Sequence, residues 1–404
     1  MFEIFIKQPL RTLVHGFCCF KKDFGLWVFH RSGAYSSGLL SIKDEKEKLT
    51  RAISSYLLMS DQELGLDTSI KHINGRSFIT LNDEKHQERR EFEISPTPIS
   101  IEGRVVAQID YIKRARGVRG IVNCITSDKI CKISDYMGAL NFTGTKYWKM
   151  SAEAKYISIG AEEEALTSAP YLNDRELIRV VMTPRGRSLG TSRSILEFLV
   201  GIREAIVAHR DLYCKKKMLH GDISEGNYIL TPLSNTLQGF LIDLDHAIEV
   251  KDTSDAVKGN FLTGTMKFMA IERLEHAAYY RSSITRTYRH DLESFFYVFI
   301  LGCVTYGSDT KSFELAHLRC WSRRNVHNNL TNKRIAFSDF EFEILRWFSP
   351  SFVDLKDLAK KLHVLLFGKF GKNFTTPINH EPLYKGMIEA FSEIIHQIRG
   401  KIQH

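Results

Sequence analysis

Long apolar runs are scarce in this sequence of 404 residues. The longest, FFYVFILGCV at residues 295–304, has about half of the twenty or so residues that a membrane span needs. The apolar opening segment is interrupted by Lys7, Pro9 and Arg11, which argues against a secretory leader. We therefore expect a protein without a membrane partner.

Cysteine is scarce too: seven are present, an odd number, and no two of them form a C-x-x-C pair. This composition argues against a disulfide framework and a cysteine zinc site, and it favours a reducing compartment. The predicted location is intracellular, either cytoplasmic or nuclear.

The sequence also lacks clusters of basic residues. The 56 basic residues outnumber the 47 acidic ones and give a net charge of +9, but the two signs are mixed along the chain. A nucleic-acid-binding surface normally needs clustered basic residues. We therefore expect no nucleic acid partner.

What the sequence does have is 43% hydrophobic residues, enough for a large core in two or three structural units. β-rich runs and amphipathic helical patterns occur along the same chain, which predicts an α+β fold. The runs LWVFH and GLLSI and a helix near 43–59 predict an N-terminal, family-specific unit at residues 1–80.

A second unit is predicted at residues 81–182. Its start lies in a charged segment that forms a hairpin or a linker, and an amphipathic helix at 102–116 follows and ends at Gly117. The β-rich run ELIRVVM then stops at TPRGRSLG, where a Pro and two Gly suit a hinge. The third unit, residues 183–404, opens with a long helix that leads to His220.

The stretch LHGDISEGNYIL at residues 219–230 places Asp222 and Asn227 in one loop, and two short predicted strands then lead to Asp243. Phosphoryl transfer needs a carboxylate that orients and deprotonates the acceptor hydroxyl, and oxygen ligands for metal ions that neutralise the phosphates. Asp222 suits the first role, and Asn227 and Asp243 suit the second. The alternative is that Asp222 and Asn227 only cap local backbone groups, as Asp and Asn often do in loops.

Four motifs follow one another in a fixed order: HGDIS with its later Asn, LIDLDHA, GTMKFMAIE and YRHDLESFFYV. Together they resemble a eukaryotic-type protein kinase catalytic core, and more closely the fungal-type protein kinase family. The resemblance implies a bilobal fold with a mainly helical large lobe at 183–404 and a reduced, atypical small lobe. It also implies ATP and Mg as cofactors and the side chain of a protein serine or threonine as substrate.

The resemblance assigns roles to single residues. Asp222 matches the catalytic-loop Asp, Asn227 and Asp243 match the metal-binding pair, and Asp291 matches the Asp that ties a buried helix to the catalytic loop. Leu244 and Asp245 stand where most kinases have Phe and Gly.

Three further residues receive weaker assignments. Met182, at the hinge, lines an adenine pocket or simply packs in the core. Glu102 matches the Glu that pairs with an ATP-anchoring Lys. Glu272 closes the activation segment and is expected to pair with an Arg, for which Arg346 is a candidate.

The sequence departs from the family pattern at several points. Gly221 replaces the Arg that pairs with a phosphorylated activation loop, and Ser224 replaces a Lys that helps to hold the γ-phosphate. No G-x-G-x-x-G loop precedes the hinge, and Gln108 stands where the Lys of a V-A-x-K strand would be. The strands that should carry this Lys have no room before Glu102.

Three functions therefore remain open. The first is a protein serine/threonine kinase, and the second is a pseudokinase that uses the same fold as a binding or scaffold module. The third is a small-molecule kinase of aminoglycoside or choline type, since the HGD and D-x-D patterns also resemble those enzymes.

Overall fold

The computed structural model describes residues 4, 8, 11–30, 33–83, 88–94, 105–132, 176–233, 236–250, 264–280, 284–306, 318, 321, 325–368 and 375–403. The chain divides into two compact units. The first consists of residues 1–102 and 125–181, and the second of residues 103–124 and 182–404. The three predicted units, with their boundaries near 80 and 182, remain a prediction, and Glu102 lies outside the described residues.

The first unit begins with a small antiparallel sheet that a helix follows. Its elements are β1 (Leu13–Phe20), β2 (Asp23–His30), β3 (Gly33–Ser36), β4 (Leu40–Ser41) and helix α1 (Lys46–Leu58). Strand β2 lies in the middle and pairs with the other three strands. The predicted strands in LWVFH and GLLSI and the predicted helix near 43–59 are confirmed.

A second antiparallel sheet in this unit contains the charged segment. Its strands are β5 (Ile70–Ile73), β6 (Arg76–Asp83) and β7 (Glu88–Ile94), paired in that order. The charged segment is thus a hairpin, one of the two predicted alternatives. Strands β8 (Asn123–Lys132) and β9 (Glu176–Thr183) form a separate pair, and β9 confirms the predicted strand ELIRVVM.

The second unit is mainly helical. Its helices are α2 (Val105–Arg114), α3 (Ile195–Lys216), α4 (Ile271–Glu275), α5 (Tyr288–Thr305), α6 (Val326–Ser338), α7 (Phe340–Glu343), α8 (Lys356–Phe367) and α9 (Glu381–Gln403). Its strands are β10 (Arg187–Ser188), β11 (Met218–Leu219), β12 (Tyr228–Leu233), β13 (Thr236–Leu241) and β14 (Ile248–Glu249). They form the sheets β10–β12–β13 and β11–β14.

Helix α3 starts and stops where its sequence provides caps. The Ser194 hydroxyl accepts a hydrogen bond from the Glu197 N–H at 3.2 Å, which satisfies one of the donors that a helix start leaves without a partner. At the other end, Lys217 adopts a left-handed conformation that ends the helix. Lys215 and Lys216 occupy the last turn, where positive charge interacts favourably with the helix dipole. The helix therefore delivers the chain to β11 and the loop after it.

Helix α5 is the centre of the core. Every residue from Tyr288 to Val304 is buried, as expected for a helix that is apolar all round. Buried side chains of α3, α8, α9 and the β12–β13 hairpin belong to the same cluster. The apolar segment TYRHDLESFFYVFILGCVTYG predicts this buried helix, and α5 confirms it. Its fixed position makes it a rigid base for the residues around Asp291.

The combination of helices and small antiparallel sheets confirms an α+β fold, while the bilobal arrangement remains a prediction. Across the described ranges, no helix is both long and apolar enough to cross a membrane.

Candidate functional site

Two sheets bring the predicted site residues to one place. Strand β11 pairs with β14, so Leu219 lies opposite Ile248. Strand β12 pairs with β13, so Tyr228 lies opposite Leu241, and the Ile242 N–H donates to the Asn227 carbonyl at 3.1 Å. The loop 220–227 and the turn 243–247 are therefore held side by side, with a strand pair at each end.

Asp222 and Asn227 are linked directly. The Asn227 Nδ2 donates to the Asp222 carbonyl at 2.8 Å, which is the backbone capping that the alternative interpretation expected. Because the amide nitrogen makes this bond, the amide oxygen is the atom that can bind a cation. The Asp222 carboxylate accepts the Thr265 N–H at 2.7 Å, so a residue near the end of the activation segment orients it.

Asp243 occupies an unusual backbone conformation, with φ at +66°, in the left-handed region that non-glycine residues rarely adopt. Such strain is found most often at functional sites. Burial, together with the negative charges of Asp245 and Asp222, raises the pKa of Asp243 to about 7. Asp243 is thus close enough to both carboxylates to sense their charge.

Asp245 is the most deeply buried of these acids, with 3% of its surface exposed. Its N–H points to the Asp243 Oδ1 at 3.5 Å, and its Oδ2 lies 3.6 Å from the His246 Nε2. Among the described residues, its Oδ1 has no hydrogen-bond donor. In the sequence, Asp245 stands out as a substitution for Gly and as the second acid of a D-x-D pattern.

Asp291, near the start of α5, lies under the loop 220–227. Its Oδ2 accepts the His220 N–H at 2.9 Å, the Gly221 N–H at 3.1 Å and the His209 Nε2–H at 2.8 Å. Burial alone would raise the pKa of Asp291, but the hydrogen bonds from the His209 ring and the Gly221 N–H hold it well below its usual range. The expected tie between this buried helix and the loop is present.

The two histidines around Asp291 have defined tautomers. His209 donates from Nε2 to Asp291, so its Nδ1 accepts the Tyr384 hydroxyl at 2.8 Å. His220 donates from Nε2 to the Ile242 carbonyl at 2.9 Å, and burial lowers its pKa, which favours the neutral ring. His209 and Tyr384 lie outside the four ordered motifs, and their contacts with each other and with Asp291 were not predicted.

Gly221 leaves no room for the Arg found there in many kinases. Its φ is +79°, and a Cβ at this position would collide with the Arg286 guanidinium and the His246 carbonyl. The Arg286 Nη1 donates to that carbonyl at 3.0 Å. An arginine from the segment before α5 thus occupies the space beside the loop, and this contact was not visible in the sequence.

Arg346 was the wrong candidate for the partner of Glu272. Glu272 pairs with the His290 Nε2 at 2.7 Å, and this hydrogen bond lowers the pKa of Glu272. The Thr287 N–H occupies the other ring nitrogen of His290 at 3.1 Å, so Nε2 is the donor. Arg346 instead stacks on Phe342 and Trp347, with its guanidinium carbon 3.8 and 4.5 Å from the ring centres.

Met182 is half-buried and packs against the large core of the second unit. The packing interpretation is therefore satisfied, and a role of Met182 in an adenine pocket remains a prediction. The segment after it is fixed to the site, because Ser188 pairs with Ile229 and the Thr231 hydroxyl donates to the Arg185 carbonyl at 2.8 Å. Glu102 stays a prediction outside the described residues.

The donor atoms at the site fit a hard cation. Within the ranges that the structure describes, no three or more His, Cys, Asp or Glu side chains are arranged to hold a metal ion. The candidate set is instead the Asn227 amide oxygen together with the carboxylates of Asp243 and Asp245. Carboxylate and amide oxygens are the ligands that Mg²⁺ prefers.

The model of one protein family, the fungal protein kinases, matches residues 1–116 and 102–303. No curated protein matches the chain. The two matched segments span 303 of the 404 residues, about three quarters of the sequence. The chain therefore belongs to the fungal protein kinase family, and the resemblance found in its motifs is confirmed.

Proposed function

We propose that this member of the fungal protein kinase family transfers the γ-phosphate of ATP to a serine or threonine hydroxyl of a protein substrate. The observation that carries the proposal is the arrangement of Asp222, Asn227 and Asp243. The Asn227 side chain donates a hydrogen bond to the Asp222 carbonyl. Asp243 directly follows Ile242, whose N–H donates to the Asn227 carbonyl. One carboxylate and two metal-ligand candidates therefore share one small site.

Asp222 is the group that binds and orients the acceptor hydroxyl. Its Oδ1 is held by the Thr265 N–H, which leaves Oδ2 to accept the proton of the substrate hydroxyl. Asn227 and Asp243 are the groups that hold Mg²⁺, which when bound neutralises charge on the phosphates. Asp291 positions the loop and does not take part in the chemistry, because hydrogen bonds from His209 and the loop backbone occupy its Oδ2.

Phosphate transfer from γ-labelled ATP tests the proposal, with a basic protein, choline and an aminoglycoside offered as separate acceptors. We expect the label on the protein, and we expect Asp222→Asn to reduce the rate about 100- to 10,000-fold, the usual contribution of a positioned acid or base. Glu225→Gln, in the same loop, is the control and should retain activity. Label on choline or the aminoglycoside, with unlabelled protein, would favour a small-molecule kinase.

A second function, that of a pseudokinase, is favoured by the missing parts of the sequence. No Gly-rich loop or V-A-x-K strand precedes the hinge, and Ser224 stands where a Lys would contact the γ-phosphate. The loss of one comparable charge-positioning group costs roughly 100- to 1000-fold in turnover. Calorimetry with ATP, with and without magnesium, separates the two functions, because a pseudokinase site of this kind should show no metal-dependent ATP binding.

A further inference from the structure

Asp245 differs from every other buried acid that the structure describes. Five buried side-chain nitrogen or oxygen atoms in the described residues lack a hydrogen-bond partner, and the Oδ1 of Asp245 is the one carboxylate oxygen among them. A carboxylate in a buried position costs several kcal/mol unless a cation or hydrogen-bond donors compensate for its charge. The structure therefore raises the question of what compensates Asp245.

The side chains next to Asp245 do not satisfy its Oδ1. The His246 imidazole lies 3.6 Å from the other oxygen, Oδ2, which is beyond hydrogen-bonding distance. The Asp245 N–H is directed at Asp243, so it gives no help to the Asp245 side chain.

The position of Asp245 points to the nature of this cation. Asp243 and Asp245 lie in one tight turn, which begins with the left-handed conformation of Asp243. Asn227 lies across the hairpin, where its carbonyl accepts the Ile242 N–H. The three side chains offer two carboxylates and one neutral amide, so their formal charge is −2 and their donor atoms are all hard oxygens. This combination matches a divalent cation such as Mg²⁺ or Mn²⁺.

We propose that Asp245 is a third protein ligand for the divalent cation, in addition to Asn227 and Asp243. The inference rests on the proposed function for its setting and extends it, because most kinases have Gly at this position and can offer no side-chain oxygen there. Ser224 removes a cation from the site, and Asp245 adds an anion. The site should consequently bind the metal more through the protein and depend less on ATP phosphates.

Titration of the purified, metal-free chain with Mn²⁺ tests the inference, with free Mn²⁺ followed by electron paramagnetic resonance and without any nucleotide. We expect the wild type to bind Mn²⁺ and Asp245→Asn to bind it at least about tenfold more weakly, since outer-sphere partners of metal ligands alone account for 10- to 100-fold. Asp243→Asn should weaken binding at least as much. Glu225→Gln is the matched control, because Glu225 is an exposed loop carboxylate, and it should bind as the wild type does.

Thermal unfolding of the same proteins provides the second readout. Without metal, Asp245→Asn should melt at the wild-type temperature or above it, which shows that the variant is folded. With Mn²⁺, the melting temperature of the wild type should rise and that of Asp245→Asn should rise much less, because a ligand stabilises only the state that binds it.

The outcomes separate this inference from the proposed kinase activity. Equal Mn²⁺ affinity of the wild type and a folded Asp245→Asn variant overturns the inference, whether or not the protein transfers phosphate. Failure of the wild type to bind Mn²⁺ overturns it as well. Binding that depends on Asp245, in a protein that phosphorylates none of the acceptors, supports the inference and counts against the kinase proposal.

Discussion

The base of the loop 220–227 and the turn 243–247 each bury an aspartate almost completely. In the base, Asp291 is 5% exposed and one of its oxygens accepts three hydrogen bonds. In the turn, Asp245 is 3% exposed and its Oδ1 accepts none from the described residues. The hydrogen bonds to Asp291 suit a structural role. The turn instead has a carboxylate oxygen without a hydrogen-bond donor among the described residues, which is characteristic of a binding site.

Removal of the Asp291 carboxylate should have the largest effect on stability. Asp291→Ala leaves the His209 ring and the N–H groups of His220 and Gly221 buried without an acceptor. We expect the free energy of unfolding in urea to fall by about 3–5 kcal/mol, the usual cost of breaking a buried charged network. Asp354→Ala, at a side chain that is 86% exposed, is the control, and a loss below ~1 kcal/mol at position 291 would contradict the comparison.

The second prediction concerns pH in the turn. The pKa of Asp243 is raised to about 7, against about 3.9 in an unfolded chain, so the folded protein binds more protons between these values. The free energy of unfolding should therefore fall as the pH rises from 4 to 7, by at most about 4 kcal/mol at 1.36 kcal/mol per pKa unit. Asp243→Asn should lack this contribution, as denaturant unfolding of both proteins in metal-free buffer would show. Parallel pH curves for the two proteins would be the contrary result.

At the base of the loop, the free energy of unfolding should depend on pH in the opposite direction. Hydrogen bonds depress the pKa of Asp291 and burial depresses that of His220, so the unfolded chain binds more protons than the folded one in acid. Their contribution to stability should be complete above about pH 6.5 and should be lost below it, first through His220 and then, below about pH 4, through Asp291. The loss of stability in acid should be clearest in the Asp243→Asn variant, because this variant lacks the increase in stability that protonation of Asp243 gives at lower pH.

A smaller effect is expected where Glu272 pairs with His290. His290→Gln removes a 2.7 Å bond to a partly exposed carboxylate and disturbs the capping of α5 through Thr287. We expect a loss of about 1–2 kcal/mol in the free energy of unfolding. Arg346→Ala is the matched comparison, because Arg346 contacts aromatic rings rather than Glu272. A double variant of Glu272 and His290 should show coupling, while Glu272 and Arg346 should be additive.

The smallest effect on stability is expected at Asp245 itself. Asp245→Asn removes a buried charge whose Oδ1 accepts no hydrogen bond from the described residues, and it keeps the shape of the side chain. The free energy of unfolding in metal-free buffer should not fall, and any change should be an increase, because the variant no longer buries a charge. A loss similar to that of Asp291→Ala would mean that the two aspartates play the same structural role, and the comparison would fail.

Much of the second unit could be predicted from sequence, because its signals are local. The apolar character of the segment TYRHDLESFFYVFILGCVTYG predicts a buried helix wherever it packs. Ser194 and the lysines before 217 mark the two ends of α3. The spacing of Asp222 and Asn227 follows from one short loop, so their proximity was also predictable. These features depend on residues that are close in the chain.

Contacts between distant segments were not predictable in the same way. Arg346 was a reasonable candidate for Glu272 by residue type, yet the partner is His290. The Thr287 N–H occupies the other ring nitrogen of His290, so the pairing depends on how the start of α5 is folded. Gly221 could be recognised as a substitution, but the sequence does not reveal that Arg286 occupies the adjacent space. Tyr384 lies 175 residues from His209 along the chain, and nothing in the sequence predicted the contact between the two.

The sequence by itself determined the family, the buried helix α5 and the identity of the loop residues Asp222 and Asn227. Motif order, apolar periodicity and short loop spacing can all be read from the linear sequence, because they involve residues close together in the chain. Only the tertiary structure decided which aspartates are satisfied. The donors that a buried carboxylate receives come from segments far apart in the chain, and their arrangement exists only after the core around α5 has formed.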